Sequence, residues 1–325
     1  MAAKLEGPER NRSAETRDPK IAGVGELLWD LLPGGARLGG TISNFALLCA
    51  RLGNRAVLVS SVGDDDYGRT AISMLLQPNL DLQQLQVSAA HPTGTVEVTF
   101  SADNQPSYLI NPGVAWDFIE LTPGLLKATR DVDAICFGTL AQRHEVSRST
   151  IRGLVEGTSP ECVRVCDINI RMPYCTPEVL HWSMGHATII KVSEEELPLA
   201  FSFLRELGLA RQPASITPEI AARFLLETFP KCQLVATTLG ADGCVVTNRE
   251  GTFRHPGFAI QLVDTVGAGD AFTAGLLHGY LRGASLEQMA EIGNLCGSYV
   301  AGKPGAMPAL SLELIDSIRA LLVPM

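Results

Sequence analysis

Short runs of β-branched and apolar residues alternate with amphipathic helical stretches along most of the chain. The predicted strands cover residues 21–24, 56–62, 134–137, 163–166, 188–191 and 234–238. Strands that alternate with helices are typical of a parallel sheet with helices on both faces. The pattern therefore predicts an α/β fold built on a mostly parallel central sheet.

Several predicted helix ends have a local cause. The helix predicted over residues 43–52 ends at Gly53, which can adopt the left-handed cap. Thr217 precedes a proline, which is typical of a capped first turn, and Ser285 with Gln288 forms a capping box. These local signals support the predicted helices and their ends.

Residues 92–116 break the alternation. Val96, Val98 and Phe100 recur with a period of two, which is typical of a half-exposed antiparallel pair. With a ribbon over residues 31–38, we expect a small sheet that projects from the main domain and acts as a lid. An exposed sheet edge with an apolar face invites a second subunit, so we also expect a homodimer through these strands.

Composition narrows the class of protein. The chain has 325 residues and a net charge of −9, which argues against a broad basic surface for nucleic acid or anionic lipid. A small phosphate-bearing ligand is still compatible, because backbone N–H groups can hold it. No apolar run reaches the length of a membrane-spanning helix, so we expect no membrane partner.

Cysteines and the amino-terminal segment indicate a reducing compartment. The eight cysteines include no CxxC pair, which favours buried thiols, and no ligand set surrounds Cys162 and Cys166 to favour a metal. Residues 1–19 carry acidic residues among their bases and lack an apolar core of the kind found in signal peptides. We interpret them as a disordered tail, and we expect a cytoplasmic protein whose folded domain covers residues 20–325.

The segment D-T-V-G-A-G-D at residues 264–270 is the most informative for chemistry. Gly267, Ala268 and Gly269 precede an amphipathic helix, so successive N–H groups at its start can face an anion without obstruction. Asp270, in the first turn, can accept a proton beside that anion hole. The alternative is a glycine turn with an Asp placed for capping and dipole reasons.

The same segment resembles the carboxy-terminal signature of the ribokinase-like (PfkB) sugar kinases, and L-G-G-T-I-S-N-F-A at residues 38–46 resembles their amino-terminal signature. Further matches, in family order, are G-E-L-L-W-D at 25–30, V-G-D-D-D-Y-G at 62–68, F-G-T-L-A-Q-R at 137–143, D-I-N-I-R at 167–171, T-L-G-A-D-G at 238–243 and K-P-G-A-M-P at 303–308. The resemblance implies the three-layer ribokinase-like fold with a small β-sheet lid. It also implies an ATP-dependent, Mg²⁺-dependent kinase similar to fructokinases.

For the acceptor site, the resemblance implies that Asp270 is the general base and that residues 267–269 form the anion hole. Sugar hydroxyls would be bound by polar or small positions after the first strand: Asp30, Gly39, Gly40 and Asn44. Without the resemblance, residue type alone favours a strand-end turn for Asp30 and a helix cap for Asn44.

For the nucleotide, the resemblance implies Thr238, Leu239 and Gly240 near the phosphates or ribose, and Asn294 with Gly297 near the adenine. A helical Asn is also compatible with a solvated surface position, and a helical Gly with close packing.

Asp167, Asn169 and Arg171 follow a predicted strand with alternate side chains on one face. Arg171 would suit the β- or γ-phosphate of the nucleotide, and Asn169 would lie beside it. The alternative is a structural ion pair between Asp167 and Arg171.

Two cation sites follow from the resemblance. The family's Asn-x-x-Glu element, which organises Mg²⁺, is replaced by S-E-E-E, so that Ser193 stands for Asn and Glu196 is retained. Ser193 can hold a magnesium-bound water, or it can simply cap the following helix with Glu196. Many members also bind K⁺ beside the anion hole, for which Asp264 is the corresponding acid.

The acceptor remains open at this level. The candidates are a free sugar such as fructose, a nucleoside, phosphosugar or keto-deoxy sugar acid, and a catalytically silent relative that acts as a binding subunit. No Lys or Arg occurs between Arg69 and Lys127, a stretch that includes most of the predicted lid, which favours an unphosphorylated acceptor. Arg37 and Arg143 are the remaining candidates for a phosphate anchor on loops beside the cleft.

Overall fold

The computed structural model describes residues 17–100, 106–210 and 216–323, with the side chains of 98–100 and 106–108 left aside. The predicted disordered tail falls mostly on residues 1–16, outside the described part of the chain. Over the described residues, no helix is both long enough and apolar enough to cross a membrane.

The described residues contain strands in two sheets. The strands are Lys20–Val24 (β1), Leu28–Leu32 (β2), Gly35–Gly39 (β3), Arg55–Gly63 (β4), Leu80–Asp81 (β5), Leu85–Ser88 (β6), Gly94–Phe100 (β7), Pro106–Ile110 (β8), Ala134–Gly138 (β9), Val163–Asp167 (β10), Ile189–Ser193 (β11), Leu234–Thr238 (β12), Cys244–Asn248 (β13) and Thr252–His255 (β14). All six predicted strands are confirmed, with ends that differ by at most two residues. The β13–β14 hairpin was not predicted.

Helices separate most of the strands of the larger sheet. They are Thr41–Arg51 (α1), Asp66–Leu75 (α2), Pro123–Arg130 (α3), Glu145–Gly157 (α4), Pro177–His186 (α5), Leu197–Glu206 (α6), Pro218–Thr228 (α7), Ala268–Tyr280 (α8), Leu286–Ala301 (α9) and Leu312–Leu321 (α10). Thr217 caps α7 through the Ile220 N–H, and Ser285 and Gln288 form the predicted capping box of α9. Gly53, after α1, has a φ of 87°, as a left-handed cap requires.

The larger sheet has the strand order β14-β13-β12-β11-β10-β9-β1-β4-β5, and β6 also pairs with β4. From β5 to β12 the neighbouring strands are parallel, whereas β13 and β14 are antiparallel. Apolar clusters cover both faces, since Ala22 and Val24 of β1 pack on one side and Ile21 on the other. The predicted three-layer α/β fold is therefore confirmed.

The smaller sheet has the order β3-β2-β7-β8, close to the regions predicted for the lid. Its β7–β8 pair is antiparallel, as predicted, while β2 and β7 run parallel from the Leu28–Gly94 pair onward. Val96 is buried, at 5% exposure, but the predicted partners of its face, residues 98 and 100, have side chains outside the described set. The small sheet is confirmed.

All eight cysteines are buried free thiols, as the sequence predicted. Burial raises the pKa of Cys162 to about 11 and raises that of Cys166 well above its usual value. Thiols held in the protonated form are poor metal ligands and poor nucleophiles. They contribute to the core rather than to chemistry.

Candidate active site

The residues predicted to form the anion hole lie at the start of α8. Gly267 is its N-cap with a φ of 78°, and a Cβ there would lie 2.5 Å from the Cβ of Ala306, so only glycine fits. The Ala268 N–H already donates to the Thr265 carbonyl at 3.2 Å. The following first-turn N–H groups, beginning with that of Gly269, are the ones that have no helical partner and can face an anion.

Asp270 lies on the first turn of α8 and is 9% exposed. Its Oδ2 accepts a 2.7 Å hydrogen bond from Nδ2 of Asn44 on α1. Burial raises the pKa of Asp270 to about 7, and the nearby Asp167 carboxylate adds to the rise, while Asn44 and Lys191 oppose it. A carboxylate that titrates near neutral pH is suited to take up a proton from a hydroxyl.

Lys191 lies near Asp270, and sequence reasoning missed it. It pairs in register with Asp167 on the neighbouring strand, and its Nζ donates to Asp167 Oδ1 at 3.1 Å. Thr273 of α8 donates to the other oxygen of Asp167 at 2.9 Å. Burial alone would lower the pKa of Lys191, but the charges of Asp167, Glu196 and Asp270 outweigh it and raise that pKa, so the side chain is a cation.

The same ammonium group lies beside the anion hole, because a Cβ on Gly269 would lie 3.1 Å from Lys191 Nζ. The signal in the sequence was a charged residue inside the apolar run Ile189–Ser193, where an unpaired Lys would be very costly. Glu26 is a second residue that sequence reasoning missed. Its carboxyl-bearing side chain is buried, with the residue 2% exposed, and burial raises its pKa. Its buried Oε2 has no hydrogen-bond partner among the described residues.

The predicted sugar contacts lie around the start of α1. Asp30 is on β2, and a Cβ on Gly39 would lie 2.7 Å from its Oδ2. Burial raises the pKa of Asp30 to about 6, and the Asp264 charge adds to the rise. Gly40 caps α1 with a φ of 106°. Asn44 differs from the rest, because it is buried and its amide already binds Asp270.

Asp264 is held by three donors. Its oxygens accept from Arg37 Nη1 at 2.7 Å, from the Gly305 N–H at 3.1 Å and from the Val266 N–H at 3.1 Å. Arg37 is therefore paired with a carboxylate. The predicted K⁺ role of Asp264 stays a prediction, and an ion there would share the carboxylate with Arg37.

The segment after β10 contributes to the same edge of the sheet. Asn169 has a φ of 35° and donates to Thr41 Oγ1 at 2.6 Å, which joins this segment to the start of α1. Arg171 is exposed, and its charge lowers the pKa of both Glu26 and Asp30, so it lies on the side of the sugar-binding candidates. The ion pair proposed between Asp167 and Arg171 is wrong, because Asp167 pairs with Lys191 instead.

The predicted nucleotide residues lie in two places. Thr238 ends β12, and Leu239 and Gly240 begin the turn that follows it at the carboxyl edge of the sheet. Asn294 is 7% exposed, not a surface residue, and donates to Cys244 Sγ and the Ala290 carbonyl. Gly297 allows close packing, since a Cβ there would lie 3.1 Å from the Ala268 carbonyl at the start of α8.

Ser193 and Glu196 form the capping box that was one of the two predicted interpretations. Glu196 Oε2 accepts from the N–H and the hydroxyl of Ser193 at 2.8 and 3.0 Å, and Oε1 accepts from the Ile170 N–H at 2.6 Å. Glu196 thereby joins β11 to the segment after β10. The Ser193 hydroxyl donates to Glu196, which leaves its oxygen lone pairs for a further donor such as a metal-bound water.

Comparison with known proteins places this geometry in a family. The pattern of the pfkB family carbohydrate kinases matches residues 34–312. Fructokinase-1 of Oryza sativa subsp. japonica is 28% identical over 329 residues, which cover 92% of this chain and 96% of that protein. The ATP-dependent 6-phosphofructokinase of Thermoanaerobacterium thermosaccharolyticum is 28% identical over 296 residues, which cover 87% and 84%.

A solved structure agrees with these matches. Aminoimidazole riboside kinase from Salmonella enterica, complexed with aminoimidazole riboside and an ATP analog, superposes with a TM-score of 0.74 at 25% identity. The superposition covers 94% of this chain and 100% of that one. The chain therefore belongs to the PfkB family of carbohydrate kinases and is an ATP-dependent phosphotransferase.

Proposed function

We propose that the protein transfers the γ-phosphoryl group of ATP to a hydroxyl of a free sugar, fructose or a related small sugar, with Asp270 as the general base. The observation that carries the proposal is the position of Asp270. It is a buried carboxylate whose pKa is raised to about 7. It lies on the first turn of α8, next to the N–H groups at the start of that helix. Base and anion hole are thereby adjacent, as phosphoryl transfer requires.

In the proposed reaction, Asp270 accepts the proton of the sugar hydroxyl as its oxygen bonds to the γ-phosphorus. The bond from that phosphorus to the β,γ-bridging oxygen breaks, and ADP leaves. The N–H groups of the α8 first turn and the cation of Lys191 lie where negative charge is transferred, so they would stabilise it without rearrangement. Asn44 would hold Asp270 with one oxygen free for the hydroxyl.

Asp30, Gly39 and Gly40 are proposed to line the sugar site, and the small sheet to cover it. Thr238, Leu239, Gly240, Asn169 and Arg171 are proposed for the nucleotide at the carboxyl edge, with Asn294 and Gly297 on α9. Glu196 and Ser193 would hold waters of a Mg²⁺ ion, which when bound neutralises phosphate charge. The capping geometry is compatible with that role, since Glu196 retains lone pairs on both oxygens.

The free-sugar proposal is supported by the pairing of the candidate phosphate anchors. Arg37 pairs with Asp264, and Arg143, which lies on the loop before α4 as predicted, has a buried side chain that pairs with Asp117. A dianionic acceptor needs Arg or Lys partners of its own. Arg171, which is proposed for the nucleotide, is a further exposed cation whose charge reaches Asp30.

Kinetics with fructose, fructose 1-phosphate and fructose 6-phosphate test the proposal. We expect the highest kcat/KM with a free sugar. A higher value for either phosphosugar than for every free sugar would overturn it, and the relation to a 6-phosphofructokinase makes that comparison necessary. The relation to aminoimidazole riboside kinase favours nucleosides as the second candidate acceptor, so they belong in the same panel.

Homodimer formation through the small sheet is a separate proposal, supported by the exposed Leu109 on β8. Light scattering at micromolar concentration tests it, and a monomer mass would contradict it.

A further inference from the structure

A second buried ion pair lies away from the proposed catalytic groups, where the small sheet joins the main domain. Arg143 follows β9, and its guanidinium binds Asp117 through two bonds, Nε to Oδ1 at 2.7 Å and Nη2 to Oδ2 at 2.8 Å. The two side chains are 6% and 2% exposed. Asp117 Oδ2 also accepts from the Gly113 N–H at 2.9 Å, so the acid is bound on several sides.

The guanidinium also contacts the end of β8. Its Nη2 donates to the carbonyl of Asn111, the residue that follows this strand, at 2.6 Å. The carbonyl of Ile110, the last residue of β8, accepts from the Tyr174 hydroxyl at 2.9 Å. Two successive carbonyls at the end of β8 are thereby bound by side chains of the main domain.

Two aromatic rings lie against the guanidinium. Arg143 Cζ lies 4.0 Å from the Trp116 ring centre and 4.7 Å from that of Tyr174. Trp116 also packs on the first residue of β7, because a Cβ on Gly94 would lie 2.3 Å from Trp116 Nε1. Gly94 pairs with Leu28 of β2, so the roots of three strands of the small sheet converge on this cluster.

The geometry is specific to arginine. The guanidinium binds a carboxylate and a carbonyl through its N–H groups and also stacks with aromatic rings, which an ammonium group cannot do together. A buried ion pair is a weak source of stability compared with an apolar pair of similar size. Moreover, Arg143 Nη1 and Trp116 Nε1 are buried without hydrogen-bond partners among the described residues, which is unfavourable for folding. The cluster is therefore better suited to fixing the positions of the strand ends than to stabilising the folded protein.

We propose that Arg143 is a positioning residue, which fixes the roots of β7 and β8 and thereby sets the pose in which the small sheet covers the acceptor site. The covering role of the sheet rests on the proposed function. The anchoring of its roots does not, and it can be measured without any substrate.

Hydrogen exchange of Arg143→Lys tests the anchoring, because this variant keeps the charge but loses the fork and the stacking. We expect faster exchange, by about tenfold, in β7 and β8, with unchanged protection in β9 to β12. The matched control is Arg152→Lys, since Arg152 also stacks on a tryptophan, 4.8 Å from the Trp182 ring centre, and also pairs with an acid, Glu178. Equal exchange in the two variants, or loosening spread evenly over both sheets, would overturn the proposal.

A double variant separates positioning from stability. Arg143→Met with Asp117→Leu fills the site without leaving a buried charge, so we expect a folded protein whose small sheet still exchanges fast. Wild-type protection of β7 and β8 in this double variant would overturn the proposal. If the double variant does not fold, the hydrogen exchange of Arg143→Lys decides.

Steady-state kinetics with the sugar that wild type phosphorylates then test the consequence for the site. In Arg143→Lys we expect KM for the sugar to rise about tenfold while KM for ATP stays unchanged. A parallel rise of both constants would reduce the role of Arg143 to general stability and overturn the positioning claim. If wild type phosphorylates no sugar, the proposed function fails, but the exchange comparison still decides the anchoring.

Discussion

The Lys191–Asp167 pair under the anion hole and the Arg143–Asp117 pair under the small sheet are buried to almost the same degree, with side-chain exposures of 9% and 1% against 6% and 2%. They are built differently. Lys191 makes one 3.1 Å bond and lies close enough to Asp270 to oppose the rise of its pKa. Arg143 makes a bidentate pair, binds a carbonyl and contacts two aromatic rings.

The difference shows that the two buried cations have different roles. A lysine is a compact point charge, so at the α8 terminus it acts through its field on Asp270 and on the anion hole. An arginine is a planar fork, so beneath the small sheet it acts through its shape. Substitutions in the first region should therefore change chemistry and charge balance, while those in the second should change the pose of a sheet.

The largest expected effect is on turnover. Asp270→Asn removes the base but preserves the shape of the side chain, so we expect kcat to fall by several orders of magnitude while the fold and ATP binding remain. Asp316→Asn, an exposed acid on α10, is the matched control. Turnover of Asp270→Asn within about tenfold of wild type would mean that Asp270 is not the base.

The next effect is on stability. Lys191→Met leaves Asp167 buried without a cation, which should lower the free energy of unfolding by about 3–5 kcal/mol. Urea titration would show a lower midpoint with an unchanged slope. Lys303→Met, which removes an exposed lysine 5.6 Å from the Tyr299 ring centre, should change it by less than about 0.5 kcal/mol. Equal changes in the free energy of unfolding for the two variants would contradict the role of Lys191 as the buried partner of Asp167.

A smaller effect is expected in the pH profile. Because the pKa of Asp270 is raised to about 7, its deprotonated fraction falls as the pH drops below 7, and kcat/KM should fall with it and level off above. Asn44→Leu removes a donor that lowers this pKa, so the midpoint should move to higher pH. The charged groups around Asp270, namely Asp167, Lys191 and Glu26, stay in place. An unchanged midpoint with a raised sugar KM would instead make Asn44 a sugar contact, as the sequence predicted.

The smallest effect concerns Mg²⁺. If Ser193 holds a magnesium-bound water less well than Asn would, Ser193→Asn should lower the Mg²⁺ concentration for half-maximal rate a few-fold, without changing the sugar KM. An unchanged Mg²⁺ titration would leave Ser193 with the capping role that it has with Glu196.

Local sequence patterns were sufficient to predict the architecture and the family. The alternation of strands and helices, the caps at Thr217 and Ser285 and the start of α8 at Gly267 depend on residues close together in the chain. Propensity, capping and periodicity act over a few residues, so they can be predicted without the fold. The β13–β14 hairpin was missed because its pairing with β12 depends on the edge of an assembled sheet.

The sequence by itself determined that Asp270 follows a glycine-rich turn at the start of a helix, and therefore that a carboxylate lies beside the first-turn N–H groups. Only the tertiary structure decided its partners: Asn44, which is 226 residues away, and Lys191, which meets Asp167 through the register of β10 and β11. The same holds for Arg143, which the sequence left on a loop and the fold buried against Asp117. Which charge faces which is set by strand register and helix packing, and these are properties of the assembled sheet rather than of any short segment.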